Sequence, residues 1–185
     1  MPAANGWRWS MPSSPPSDAV PDEKLRLIVE SHRRLTGEHL LDDVTPQDEA
    51  LRRALWEAPR AIVAHGTETD PVFFYGNRLA LRSFGMSFEE FIRLPSRLSA
   101  EPQVQEARAR LLEQVARRGF VDGYSGMRIA RDGRRFMIAD GTVWNLTDET
   151  GTCHGQAAVF VVPDQAGCGE GLTNLSGTSR LPARA

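Results

Sequence analysis

Two helix boundaries fall close together near the middle of the chain, and they constrain everything around them. The run Tyr75–Leu98 reads Tyr-Gly-Asn-Arg-Leu-Ala-Leu-Arg-Ser-Phe-Gly-Met-Ser-Phe-Glu-Glu-Phe-Ile-Arg-Leu-Pro-Ser-Arg-Leu. Asn77 is a good N-cap, because its side-chain oxygen can accept from the free N–H groups of a helix start. Leu79, Ala80 and Phe84 then face inward, and Gly85 stands where a left-handed C-cap belongs. Ser87 opens the next helix, with Glu90 placed to bond back to it. Phe88, Phe91 and Ile92 give that helix its apolar side. The punctuation fixes two short helices in succession.

The flanking sequence supplies strands. Ala61–His65 and Val72–Tyr75 read as two short strands around the turn-rich Gly66–Pro71. After the short helices, a longer one is predicted over about 102–118. Its apolar stripe is Val104, Ala107, Leu111 and Val115, and Glu106–Arg110 and Glu113–Arg117 are pairs on its wet side. Gly119 ends it. An antiparallel meander follows. Tyr124–Arg131 alternates, Asp132-Gly133 is a hairpin turn, Arg134–Leu146 returns with Gly141 as a bulge, and Gln156–Val162 is the last strand.

Upstream, Leu25, Ile28, His32 and Leu35 fall on one helical face, with Gly37 as C-cap. A second helix is predicted from Thr45-Pro46-Gln47-Asp48, where Thr45 caps and Pro46 suits the first turn. Leu51, Ala54, Leu55 and Ala58 form its stripe, and Pro59 stops it. Residues 1–21 are rich in proline and serine, and the chain after Pro163 is rich in glycine and serine, so both ends are expected to be disordered. Either Met1 or Met11 could be the start. The domain is therefore expected over 22–162, with helices in 22–58 and a strand-bearing core in 60–162.

Strands at both ends with helices between them suit an α+β fold. It would be a single antiparallel sheet of five strands, with helices on one face and an N-terminal helical extension. In 185 residues with 41% hydrophobic content, one core of useful size can be buried. The net charge of −2 lacks the basic excess of a nucleic-acid binder. No run is long and apolar enough for a membrane helix, and the N-terminus has no signal-peptide core. Cys153 and Cys168 are read as reduced thiols. A cytoplasmic location is expected.

The element order and the Asn77, Gly85–Glu90 and Asp132-Gly133 details resemble a PAS sensor domain. Longer blocks are more specific. His65-Gly-Thr-Glu-Thr-Asp-Pro-Val, Tyr75-Gly-Asn-Arg, Leu94-Pro-Ser-Arg-Leu-Ser-Ala-Glu-Pro102, Gly133-Arg-Arg-Phe136, Val143-Trp-Asn-Leu146 and Gly155-Gln-Ala-Ala158 resemble the MEKHLA domain, a PAS-related family, over about 25–160. That family occurs in bacteria and algae, and at the C-terminus of plant class III homeodomain-leucine zipper factors. This chain carries neither a homeodomain nor a zipper, so the resemblance does not imply DNA binding. It implies a small-molecule sensor or a protein-interaction module, and no enzymatic activity.

A PAS-type pocket would lie between the sheet and the short helices, and each possible occupant needs particular residues. In light-oxygen-voltage domains a reactive cysteine sits in an Asn-Cys-Arg-Phe-Leu-Gln block. Placed without gaps from Gly85, that block falls on Pro95–Ala100 and the cysteine becomes Ser96. A serine hydroxyl is a far weaker nucleophile than a thiol, so no cysteinyl-flavin adduct is expected. Haem is not expected, because His32, His39, His65 and His154 all lie away from the helices bordering the pocket. No His/Cys/Asp group has metal-ligand spacing.

Arg97, beside Ser96 and Ser99 in the family-like block, could hold a carboxylate or phosphate. Its alternative is an internal pair with Glu101 or Asp70. Tyr75, Trp56 and Trp144 could line the pocket or belong to the core. His65 could sense pH or be satisfied by turn backbone. No nucleophile elbow, phosphate-binding loop or zinc-protease motif is present, so catalysis is not expected. Two functions remain open. The chain could be a sensor that binds a small molecule and signals through protein contacts. It could instead be a dimerisation or protein-interaction module with a filled core, using the Leu25, Ile28 and Leu35 stripe.

Overall fold

The computed structural model describes residues 19–41, 48–100 and 102–163. Thr45, Pro46, Cys168 and the side chain of Val104 lie outside the described residues, as does most of both terminal segments. The elements are α1 (Asp22–Thr36), α2 (Asp48–Glu57), β1 (Ala61–His65), β2 (Phe73–Gly76), α3 (Arg78–Phe84), α4 (Phe88–Phe91), a 3-10 turn (Ser96–Ser99), α5 (Pro102–Arg118), β3 (Phe120–Ile129), β4 (Arg135–Thr147) and β5 (Cys153–Val161). The five strands form one antiparallel sheet in the order β2-β1-β5-β4-β3. The expected α+β architecture is what forms. The third strand starts earlier than expected, at Phe120, directly after the turn at Gly119 (φ 92°).

The local signals act as read. Ser87 accepts from the Glu90 N–H, and the Glu90 carboxylate accepts from the Ser87 N–H. Gly85 adopts φ 65° at the end of α3, a conformation that favours glycine. The bulge falls beside Gly141. Pairing of β4 with β5 shifts between Ala139 and Thr142, and Asp140 takes φ 48°.

Asn77 does more than cap α3. Its Oδ1 accepts from the N–H groups of Ala80 and Ile62, both at 3.0 Å, and its Nδ2 donates to the Arg60 carbonyl at 2.8 Å. The fully buried side chain therefore ties the helix start to β1. Asn77→Ala removes the cap and orphans a strand N–H. We expect a loss of about 2–4 kcal/mol in urea unfolding, with an unchanged m-value.

Helices lie on both faces of the sheet. Trp144 pairs with Ala157, and Ala157 with Ala64, so these three share a face. Asn145, Gln156 and His65 form the next row and share the opposite face. On the first face, Trp144 Nε1 donates to Ser31 Oγ of α1 at 3.0 Å, and the His32 ring meets the Trp144 ring edge-on at 4.8 Å. On the second face, Asn145 Nδ2 donates to the Val115 carbonyl and Gln156 Nε2 to the Leu112 carbonyl, both in α5. The N-terminal extension thus covers the back of the sheet. Leu25 and Ile28 are buried in the chain's own core, so the stripe expected to meet a partner is already occupied. Val20, inside the segment expected to be disordered, is also buried, and its carbonyl accepts from both Nη atoms of Arg52.

His32 is buried between α1 and Trp144. Burial lowers its pKa below the ordinary 6.5, opposed by its Nδ1 bond to the Glu38 carbonyl at 3.1 Å. The unfolded chain then takes up the proton first. The stability that depends on neutral His32 is complete above about pH 6.5 and is lost as pH falls below that value. Melting temperature should drop from pH 7.5 to pH 5, and the drop should be smaller in His32→Gln.

Candidate functional site

The loop Gly66–Val72 between β1 and β2 meets the segment after α4. The Phe73 N–H donates to the Leu94 carbonyl and the Ser96 N–H to the Pro71 carbonyl, while Val72 and Pro95 form an isolated bridge. Two blocks far apart in sequence are therefore one structural unit. Arg97 belongs to it. Its Nε donates to both oxygens of Asp70, at 3.0 and 3.1 Å, and both side chains are about half exposed. An exposed pair of this kind contributes about 0–1 kcal/mol. Arg97 thus makes the internal pair with Asp70 and is not among the residues lining the cavity on the sheet.

That cavity lies between the second face of the sheet and the helices α3 and α5. Val63, Phe73, Ile138, Val143, Ala158 and Phe160 give it an apolar lining. Leu111 and Leu112 of α5 border it, as does Ser99, the one of the six residues nominated as ligand-binding that lines it. Ser96 is buried in the same 3-10 turn, and Ser99 Oγ donates to its carbonyl at 2.7 Å. The cavity measures about 40 Å³ counted at the centres of water molecules, enough for about three waters.

The three nominated aromatics do not line the cavity. Trp144 faces α1 and Trp56 lies within α2, both essentially fully buried. Tyr75 pairs with Ala64, on the same face as Trp144. Burial pushes its phenol far above the ordinary range, and its hydroxyl has no hydrogen-bond partner among the described residues. The physical reason is the N-terminal extension, which turns what would be an exposed sheet face into core. Large aromatics are the cheapest way to fill that space.

Besides Ser99, the polar side chains at the cavity among the described residues are His65, Gln156, Tyr124 and Arg128. His65 Nδ1 bonds the Gly66 carbonyl at 2.9 Å, so the turn backbone satisfies it. Gln156 and Asn145 bond one another at 3.1 Å and both hold the α5 backbone. Tyr124 and Arg128 sit on β3, four residues apart and on one face. Sequence reasoning missed both. The signal was there: Arg128 occupies a strand position opposite the apolar Phe136.

The model of the MEKHLA domain matches residues 22–162. The chain belongs to the MEKHLA domain family. Its solved structural neighbours are PAS-type. The PAS domain of a protein from Colwellia psychrerythraea superposes with a TM-score of 0.52 at 18% identity, covering 59% of this chain and 90% of that one. A light-oxygen-voltage domain studied with a flavin analogue gives 0.51 at 20% identity, covering 63% and 88%. An RNA-binding light-oxygen-voltage receptor gives 0.51 at 17% identity, covering 60% of this chain and 31% of that one. No curated protein matches the sequence. These likenesses establish that the MEKHLA domain here has the PAS sensory-domain fold, with its own helical extension on the back of the sheet. Among the described residues, no helix is long and apolar enough to cross a membrane.

Proposed function

We propose that this MEKHLA domain is a sensor. It binds a small molecule non-covalently in the cavity under α5, does not turn it over, and passes occupancy on through protein–protein contacts. The cavity carries this reading, because an apolar pocket with a few convergent polar groups is the usual form of a ligand site. The two side-chain bonds from the sheet to α5 support the signalling half. A guest beside Gln156 would disturb its bond to the Leu112 carbonyl and shift α5 between two positions. Placement in the cytoplasm belongs to the same proposal, with Cys153 as an exposed reduced thiol.

A second reading is favoured by the small free volume. In it the core is simply filled, and the domain acts as a dimerisation or interaction module. A partner would then use a surface other than the Leu25/Ile28 face. A native mass spectrum with an absorption scan, on protein purified from its native host, separates the two. A bound small molecule, or one that raises the melting temperature, supports the sensor. An empty chain in a dimer or hetero-complex, with no ligand response, supports the module.

A further inference from the structure

Two arginines are buried among the described residues, and they are treated differently. Arg52, at 8% exposure, pairs with Asp22 and also donates to the Val20 carbonyl. Arg128, at 7%, has no carboxylate partner among the described residues. Its Nη1 donates to the Met127 carbonyl at 3.0 Å and its Nη2 to the Tyr124 hydroxyl at 3.2 Å, with the guanidinium 5.4 Å from the Tyr124 ring. Among the described residues, those two bonds use two of its five N–H donors. A buried cation is favoured by a counter-charge, so an anion is the natural complement of Arg128.

The surroundings describe that anion. Arg128 and Tyr124 both line the cavity. Between them, Gly126 leaves the space in which they meet. A Cβ there would come within 2.8 Å of the Tyr124 hydroxyl and 3.4 Å of Arg128 Nη1. The Tyr124 oxygen accepts from Arg128, which leaves its own O–H free to donate. A guanidinium beside a phenol O–H matches one planar carboxylate. A phosphate dianion would bring a second charge, and among the described residues the lining holds no second arginine or lysine. His65, the other ionisable side chain there, stands on β1, with β5 and β4 between it and β3. The rest of the lining is mainly apolar.

We infer that the ligand is a small monocarboxylate with an apolar body, its carboxylate held by Arg128 and Tyr124 and its body against Ile138, Val143 and Phe160. This rests on the ligand-binding reading above and deepens it. The free space is smaller than such a molecule, so entry moves Leu111 and Leu112, and with them α5.

The test compares acids with their uncharged amides on the full chain. Benzoate and hexanoate are titrated against benzamide and hexanamide by calorimetry and melting temperature. The acids should raise the melting temperature and bind at least about tenfold tighter than the amides, the effect of a charge-assisted hydrogen bond. Arg128→Gln should erase the preference, and Gly126→Ala should weaken acid binding. Equal binding of acids and amides, or an unchanged preference in Arg128→Gln, overturns the carboxylate assignment but leaves a ligand pocket. A neutral compound recovered in the cavity from the native host does the same. No response to any probe, together with an empty native mass spectrum, overturns both. If Arg128→Gln does not fold, the acid–amide comparison on the unaltered chain decides alone.

Discussion

Trp144→Ala is expected to cost about 3–5 kcal/mol of unfolding free energy, the largest effect of any single truncation in the described core. That is a large share of the total for a domain of this size. Three losses combine. The side chain is fully buried, so its removal leaves a cavity between the sheet and α1. The edge contact to His32 disappears. The Nε1–H bond to Ser31 is lost as well. Ser31 survives this better than most, because its own hydroxyl also donates to the Leu27 carbonyl at 2.5 Å. Trp144→Phe should therefore be much milder, about 1–2 kcal/mol, since it keeps most of the apolar volume and loses mainly the hydrogen bond. Urea unfolding followed by far-ultraviolet circular dichroism measures both. If the two variants lose the same amount, the hydrogen bond to Ser31 matters more than the packing.

Trp144 also shows why the fold was easier to read than the site. Local punctuation survives in sequence because its partners are close along the chain. Ser87 and Glu90 are three residues apart, Asn77 and Ala80 likewise, and Gly133 lies inside its own turn. Those signals gave the element order, and the order gave the sheet. The face that a strand residue uses depends on what lies above it, and that is a long-range fact. Trp144 and Asn145 are neighbours in sequence and point to opposite layers, one to α1 and one to α5. Without knowing that α1 returns to the back of the sheet, an aromatic on β4 reads equally well as a pocket wall. Arg128 was hidden for the opposite reason. An alternating strand with arginine in it looks solvated on that side, and only the burial of β3 beneath α5 reveals a cation turned inward. Arg97 stood out because of the block around it, yet its partner Asp70 lies on the loop that this block packs against.

Removing residues 1–59 is expected to convert the chain into an aggregating or self-associating species, a larger effect than any point substitution. The argument is one of surface. Ile62, Ala64, Tyr75, Trp144, Ala157 and Val159 are buried residues with side chains on, or in rows adjoining, the back of the sheet. Leu25, Ile28, Leu55 and Trp56 join them in the same core. Stripping the helices would bare a contiguous apolar patch of several hundred square ångströms, beyond what soluble monomers commonly expose. The buried Tyr75 hydroxyl would gain water, but that single polar gain is small beside the apolar area exposed. Anchors beyond the apolar contacts would be lost too. Arg34 Nη1 donates to the carbonyls of Thr147 at 2.7 Å and Asp148 at 3.2 Å, fastening α1 to the β4–β5 turn. Size-exclusion chromatography with light scattering, run on 1–185 and 60–185 side by side, reads the outcome. The longer chain should be well behaved, and the shorter one should form dimers, larger species or insoluble material. A monomeric 60–185 with an unchanged melting temperature would mean that the helices are an appendage. Their covering of the sheet would then be dispensable, and the Leu25/Ile28 stripe would return as a surface available to a partner.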